Sequence, residues 1–528
     1  MSNDQFEAKR DGRIFWALRL MGVWLAIVVL LNALLSVPRR SGDGYEYALT
    51  THAIATRGDA AVTATDVAEV TNLLRVWPLY GMSSSLLTDM AEAFAASKDR
   101  FGFYRTEGEK FYGYHFWLYP ALTAPFEVAL RSLGENPFKS MQVLNALVAG
   151  LVLIWLLGWQ PASPDIRLWT GACYLLGGPI YYLRWTGPEV LVTSIIVLGF
   201  ASLYVGRWRL ALAGFALASL QVLSLAPLLA LVWAHRWTQV AGSSRERFRI
   251  LTKDWPWLLA FVVPLIAPLF YFWNFGKFNL IVTSGAASAE FISLGRQVSA
   301  WFDLDQGMIV GLPWLLPIVL LAVAGFVRRH VWDRELTWAL AGSLIIFVPL
   351  TAQGNWNAGQ AVFNRYALIA AAPLCVWMGR HLARRITMWP AGVVLLVIML
   401  GWNAYFGGDE ALEEDYLYHK PWTSWVLSHV PGLYHPEPEI FVERTLHREV
   451  SIRYGQLHAA VAWPVGAKTK TKILIPRAYG AQALSGLCPH GGFLADIDGK
   501  ALSPEDAGHW QYGWGYLDGR MSCRPRPG

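Results

Sequence analysis

"IFWALRLMGVWLAIVVLLNALLS" (residues 14–36), followed after the short link 37–40 by "SGDGYEYALTTHAIATRGD" (residues 41–59), decides how the rest of the chain is read. An apolar run of this length fills a bilayer core, which takes about 20 residues of helix. Lys9, Arg10 and Arg13 precede it and Arg19 lies inside it, so the positive-inside rule puts the N-terminus in the cytoplasm. No small-x-small cleavage site follows, so an uncleaved anchor is expected. The stretch 41–59 then emerges on the outer side, and it carries two carboxylates, Asp43 and Glu46, where the chain leaves the membrane.

The composition agrees with a polytopic membrane protein. Of 528 residues, 54% are hydrophobic and only 16% charged, with 27 tryptophans, and the mean hydropathy is +0.33. That is far from the balance of a soluble enzyme. The formal charge of +6, from 44 basic and 38 acidic residues, comes from basic residues in short loops between apolar runs. This is a membrane-orientation pattern, and no nucleic acid partner is expected.

Further spans are expected at 140–158, 169–186, 190–205, 255–275, 308–327, 336–351, 363–379 and 388–406. The loops holding Arg236, Arg245, Arg247, Arg249 and Lys253, then Arg328, Arg329 and Arg334, then Arg380, Arg384 and Arg385, should all be cytoplasmic. Residues 116–133, with Pro120, Pro125, Glu127 and Arg131, read as a broken interfacial helix. Residues 209–234 read as two short arms bent near Leu223 to Pro227. With Arg207 and Arg209 inside and Glu189 outside, the total is about eleven spans; one crossing at each of these two regions would invert the part between them.

The expected fold is therefore a polytopic all-α membrane protein with a small C-terminal α/β or mostly β extracytoplasmic domain. The parts are a cytoplasmic N-terminus (1–13), the first transmembrane helix (14–36), an extracytoplasmic first loop with juxtamembrane helices (37–115), a multi-span domain (116–407) and an extracytoplasmic C-terminal domain (408–528). In the first loop Tyr45, Ala48 or Leu49, and His52 or Ala53 recur at helical spacing, and 64–76 and 84–97 also read as helices, all suited to lying on the membrane surface. In the tail, "REVSIRYGQLHAAVAW" and "TKILIPRAYG" alternate like strands. Cys173 and Cys375 fall in apolar spans, as packing residues. Cys488 and Cys523 fall in the tail, where an oxidising compartment favours a disulfide. "CPHGG" lacks a second ligand pair at zinc-site spacing, which disfavours a metal reading of Cys488 with His490.

The order of features resembles the GT-C superfamily, integral-membrane glycosyltransferases that use polyprenyl-phosphate-linked sugars, such as protein mannosyltransferases and lipid A aminoarabinose transferases. The resemblance rests on "SGDGYEYALTTHAIATRGD", "FYGYHFWLYPALTAPF", "WTGPEVLV", "FDLDQGMIVGLPWLLP" and "GNWNAGQAVFNRYALIAAAP", which together cover most of residues 14–406. It implies a GT-C-like fold in a bacterial-type inner membrane. It also implies an inverting transfer of sugar from the lipid phosphate to a hydroxyl of a glycan, lipid or protein at the outer face.

Such a transfer needs a base for the acceptor hydroxyl and cations for the departing phosphate. The resemblance makes Asp43 the catalytic carboxylate, with Gly42 and Gly44 allowing a tight turn. The same residues also read as a helix cap, with Glu46 at the third position of a capping box. Many relatives carry a second acid where this chain has Gly44, so a metal role for that pair does not carry over. The residues name no metal ligands, and a divalent cation is the one cofactor left open. The resemblance, whose members place basic residues against the lipid phosphate at the two places where these stand, makes Lys110, His115 and Arg365 the candidates for the donor phosphate, each with a plainer reading as an interfacial or structural side chain. Glu46, Glu189 and Trp356 are the candidates for acceptor and sugar binding, Trp356 because its face lies beside Asn355, Asn357 and Gln360. Glu189 also reads as an ordinary helix start after Pro188, and Glu127 with Arg131 as a local ion pair.

"FDLDQG" mimics the DxD motif of nucleotide-sugar enzymes, but on the outer side a local turn explains Asp303 and Asp305 better. No Walker motif, dinucleotide fingerprint, HExxH or GxSxG is present. A transporter or flippase for lipid-linked glycans, or a non-catalytic assembly subunit, are the rival classes; the polar residues gather in external loops and not at mid-membrane, which disfavours transport.

Overall fold

The computed structural model describes residues 3–40, 42–100, 102–107, 110–247, 255–329, 333–356, 364–385, 389–407, 415–450, 459–488 and 492–525. The chain is mostly helical with a small C-terminal β-sheet, and it divides into two compact units. The first comprises Met1–Ala286, Trp314–Leu350 and Leu368–Gly407; the second comprises Ala287–Pro313, Thr351–Ala367 and Gly408–Gly528.

In the first unit, α1 (Asn3–Leu35) lies against α6 (Lys139–Ile154). Small residues let the two backbones approach: a Cβ on Gly150 would lie 2.9 Å from that of Ala26, the packing device of membrane helices that lack a hydrophobic drive to associate. Four helices among the described residues are long and apolar enough to cross a bilayer: Gly12–Leu35, Lys139–Trp159, Trp257–Phe275 and Arg365–Arg385. Glu189–Tyr204, Leu315–Gly325 and Gly392–Tyr405 are apolar but shorter.

The expected count of about eleven spans is therefore not met among the described residues, where four helices are long and apolar enough to cross, and the breaks have local causes. Residues 169–186 are split into α7 (Pro164–Leu175) and α8 (Pro179–Tyr182), with Gly178 at φ +117° between them. The run 308–327 holds a four-residue turn, Met308–Gly311, before the helix Leu315–Arg329 begins. Residues 209–234 form α10 (Trp208–Gln221) and α11 (Pro227–Gln239), with a short 3-10 turn at Leu223–Leu225. Between α8 and α10 lies α9 (Glu189–Tyr204).

The first loop builds a core of its own. It contains α2 (Gly44–Arg57), α3 (Ala64–Val76), α4 (Ser84–Ala95) and the antiparallel hairpin β1 (Phe103–Arg105) with β2 (Phe111–Gly113). Leu49, Ala53, Val67, Val70, Leu87, Met90, Phe94, Phe103 and Phe111 bury one another, with Phe94 stacked on Phe111 at 4.0 Å. The apolar stripes that read as surface-lying helices thus face inward, because three amphipathic helices and a hairpin can satisfy each other. A capping box forms at Thr63 and Asp66. Next comes α5 (Leu118–Ser132), one helix with Pro125 inside it.

The second unit carries an antiparallel sheet in the order β3 (Val461–Trp463), β4 (Thr469–Pro476), β7 (Trp514–Arg524), β5 (Phe493–Asp496), with β6 (Gly508–Gln511) also paired to β7. Cys488 and Cys523 form a disulfide, Cα–Cα 5.4 Å. Cys173 and Cys375 are buried free thiols in the first unit. His490 and residues 451–458 of the first strand-like run lie outside the described residues.

Two upstream stretches fold with the tail through buried polar groups. Arg296, fully buried, donates to the carbonyls of Thr351 (2.8 Å), Gln353 and Gly354 and pairs with Glu437 at 3.3 Å. Asp303 takes the backbone N–H groups of Asp305 and Gln306, so the expected turn is there. The two aspartates do more than turn the chain: Tyr434 donates to Asp303 at 2.9 Å, and Asp305 meets His419 at 2.8 Å and the Lys420 N–H at 2.8 Å. Burial and the neighbouring Asp305 push the Asp303 carboxyl up. Burial opposes ionisation of Asp305 too, but His419 and Arg444 outweigh it and hold that carboxyl low. The pair is a structural core, closed to any nucleotide-sugar role.

Candidate active site

The site is positioned by the end of α1. Lys139 donates to the Leu34 carbonyl at 2.6 Å, and Gln142 donates to those of Ala33 and Ser36, so α6 caps the terminal carbonyls of α1. Beyond it, residues 37–40 run extended: the Arg39 N–H bonds to Arg184 O (2.9 Å), the Arg40 N–H to Tyr80 O (2.7 Å), and the Thr186 N–H to Arg39 O (3.1 Å). The chain then turns at Gly42, φ +38°. Gly44 answers a different need: a Cβ there would run into Thr186 Oγ1.

Asp43 stands at the start of α2 without a side-chain cap bond. The capping box expected between Asp43 and Glu46 does not form, because both carboxylates turn to the segment after β2. Tyr114 Oη donates to Asp43 Oδ1 at 2.7 Å. His115 gives its backbone N–H to Glu46 Oε1 and sets Nδ1 against Glu46 Oε2, both at 2.9 Å. Its other ring nitrogen, Nε2, lies 4.0 Å from Asp43 Oδ2. Gly113 is required beside them, since a Cβ would collide with Glu46 Oε1.

Exposure separates the two acids. The side chain of Asp43 keeps 19% of its surface and that of His115 22%, while Glu46 keeps 2%. Burial pushes the Glu46 carboxyl up, against the pull of His115. Burial, with Asp43 and Glu46 beside it, also pushes the Tyr114 hydroxyl well up, so it stays a donor to Asp43. Glu46 is thus an orienting group for His115 and not the open sugar contact expected of it.

Of the other expected residues, Lys110 is bound to Asp59 at 2.8 Å and is half exposed. Asp59 follows the C-terminal end of α2, a helix about 21 Å long, so Lys110 is directed to the far end from Asp43. Glu189 opens α9 and is buried, its carboxylate folded over Gly187; it follows the turn that brings Thr186 to Gly44. Arg365 belongs to the second unit, first in the helix Arg365–Arg385, with its guanidinium over the Tyr366 ring at 5.2 Å. Trp356 is fully buried in that unit. Its indole N–H donates to Ser299 Oγ at 3.0 Å, and the Arg296 guanidinium lies 4.9 Å from the ring centroid. It is a core side chain, which removes it as a sugar platform. Asn357 and Gln360 lie outside the described residues.

The sequence reading missed Tyr114 and Arg40. Tyr114 stood in the quoted "FYGYHF" stretch, next to His115. Arg40 had only its place in the link to recommend it. Its side chain would touch a Cβ on Gly44 and lies 6.0 Å from the Tyr45 ring, and its Nε has no hydrogen-bond partner among the described residues.

The donor set does not fit a resident divalent cation: one carboxylate is bound by tyrosine and the other is taken up by histidine. Among the described residues no group of three or more His, Cys, Asp or Glu is arranged to hold a metal. Comparisons with protein-family models, with curated proteins and with solved structures find no match to this chain.

Proposed function

We propose that the chain is an inverting glycosyltransferase of GT-C type. It moves a sugar from a polyprenyl phosphate to a hydroxyl of a glycan, lipid or protein at the outer membrane face. The observation that carries this reading is the partly exposed Asp43 carboxylate at the exit of an apolar helix, oriented by Tyr114 and faced by His115. In this account the membrane domain has about eleven crossings, several of them broken helices, with the N-terminus cytoplasmic and the C-terminal unit outside.

Tyr114 holds Oδ1, and Oδ2 takes the proton of the acceptor hydroxyl. The acceptor oxygen bonds to the anomeric carbon as the bond from that carbon to the phosphate oxygen breaks, and the electron pair leaves on the polyprenyl phosphate. His115 Nε2 stands 4.0 Å from Asp43 Oδ2, so the imidazole and the carboxylate would face the same acceptor. Arg40 and the ring N–H of His115, both in the first unit, meet the charge of the leaving phosphate. Lys110, committed to Asp59, drops out of this set.

The test is purified protein in detergent with a panel of radiolabelled polyprenyl-phosphate sugars, scoring free polyprenyl phosphate and the anomeric configuration of the product. Release with inversion from one donor is the expected result. Binding without release from any donor would favour the transporter or subunit reading.

A further inference from the structure

A polar cavity lies in the first unit, among the ends of α9, α10, α11 and the helix Arg334–Leu350. It measures about 330 Å³ and is lined among others by Trp208, His235, Arg236, Arg334, Glu335 and Trp338. That volume is at the lower end of small-ligand sites, about 300–1,000 Å³. Nothing in the transfer reaction uses it.

Its charge is positive once the acids are accounted for. Glu335 is neutralised from within the unit by Arg380, at 2.8 and 3.0 Å, and by Arg384 at 2.8 Å. The nearby Asp333 keeps its charge, held by the Trp377 indole N–H at 2.9 Å and the Leu336 N–H at 3.1 Å, so four arginines, Arg236, Arg334, Arg380 and Arg384, stand against two carboxylates. The guanidinium of Arg236 lies 5.6 Å from the Trp208 ring centroid, and its buried Nε has no hydrogen-bond partner among the described residues. Arg334 is exposed at the start of its helix. The Arg236 guanidinium beside an indole ring, with Arg334 also lining the cavity, makes a recognition surface for an anionic oxygen cluster.

The surroundings favour a lipid as the source of that anion. Arg209 lies over both Trp208, at 5.3 Å, and Trp257, at 5.6 Å. Trp257 opens the apolar helix Trp257–Phe275, whose most apolar window is only 17% buried. Leu210 and Leu217 on α10 and Leu258, Leu259 and Val262 on that helix are exposed as well. A headgroup in the cavity would therefore have apolar surface beside it for its acyl chains, with tryptophan and arginine at the boundary as in interfacial belts.

We propose that this cavity binds the phosphate of an anionic lipid, held between Arg236 and Arg334 and framed by Trp208 and Trp338. Free inorganic phosphate offers the same chemistry, and the experiment separates the two. Full-length protein in detergent is titrated with phosphatidic acid and, separately, with phosphatidylcholine of the same chains, and retained lipid is counted by native mass spectrometry. The parent should retain phosphatidic acid at least tenfold better. Both Arg236→Gln and Arg334→Gln should abolish most of that preference, and Arg334, being exposed, can be replaced without disturbing packing. Retention should survive an excess of inorganic phosphate. Displacement at equal concentration would overturn the lipid in favour of the free anion. An unchanged preference in Arg334→Gln, with the protein still monodisperse, would overturn the site itself.

Discussion

Asp43 begins a helix without capping it, and that departure from the ordinary role of an N-terminal aspartate is what the functional reading turns on. The neighbouring acid has a different task, which can be measured. Removing the imidazole in His115→Ala leaves the buried Glu46 carboxylate, among the described residues, with the backbone N–H of residue 115, and a stranded carboxylate of this kind costs about 1–3 kcal/mol. A lower thermal midpoint is expected. Tyr114→Phe should fold normally but lose about 10- to 100-fold in turnover, since the general base it orients is worth about 10²–10⁴-fold; a loss appearing only in KM would argue that Tyr114 serves binding alone. Asp43 and His115 stand out in the sequence through the resemblance to a family that carries an acid and a base at these two places; the residues alone also allow a helix cap and a structural histidine. Lys110 and Trp356 find partners that sequence does not show: a side chain is legible as available, but not that Asp59, or Ser299 and Arg296, will engage it.

At the scale of elements, α2 is fixed by a buried histidine, His52, which helical periodicity places, with Ala53 as the alternative, on the stripe of a surface-lying helix. His52 places Nδ1 2.7 Å from Glu127 on α5 and Nε2 2.9 Å from Glu69 on α3, and Arg131 stands 3.9 Å from the same Glu127. Burial disfavours the charged ring, yet the hydrogen bonds and charges of Glu127 and Glu69 outweigh both it and Arg131, so the imidazole is held above its ordinary value of 6.5. A folded value raised in this way adds stability that is complete below about pH 6.5 and is lost as the pH climbs through the higher folded value. The thermal midpoint should therefore fall as the pH rises above about 6.5, and His52→Gln should flatten that slope; equal slopes in parent and variant would remove His52 as the cause. The helix 64–76 and the bend near 223–227 could be read locally, from a Thr–Asp cap and a helix-starting proline. The inward face of the first-loop helices could not, because the same apolar stripe suits a membrane surface or a neighbouring helix.

For the whole molecule, the division into two units follows from contacts far apart in sequence. Buried Arg296, Asp303 and Asp305 tie residues 287–313 to the tail, and no window of local sequence contains their partners Glu437, Tyr434 and His419. Within that unit the Cys488–Cys523 bridge closes a separation of 35 residues, and Cys488→Ser with Cys523→Ser should lower stability by about 2–4 kcal/mol. A matching drop on reducing the parent, absent in the double variant, would check it. The central claim is that the first unit carries its catalytic base at the exit of its first apolar helix. The most direct measurement is single-turnover release of polyprenyl phosphate by the parent and by Asp43→Asn, with circular dichroism and detergent-phase elution compared for the two. The account predicts unchanged folding and a loss of about 10²-fold or more. Release at the parental rate in a folded Asp43→Asn protein would contradict it.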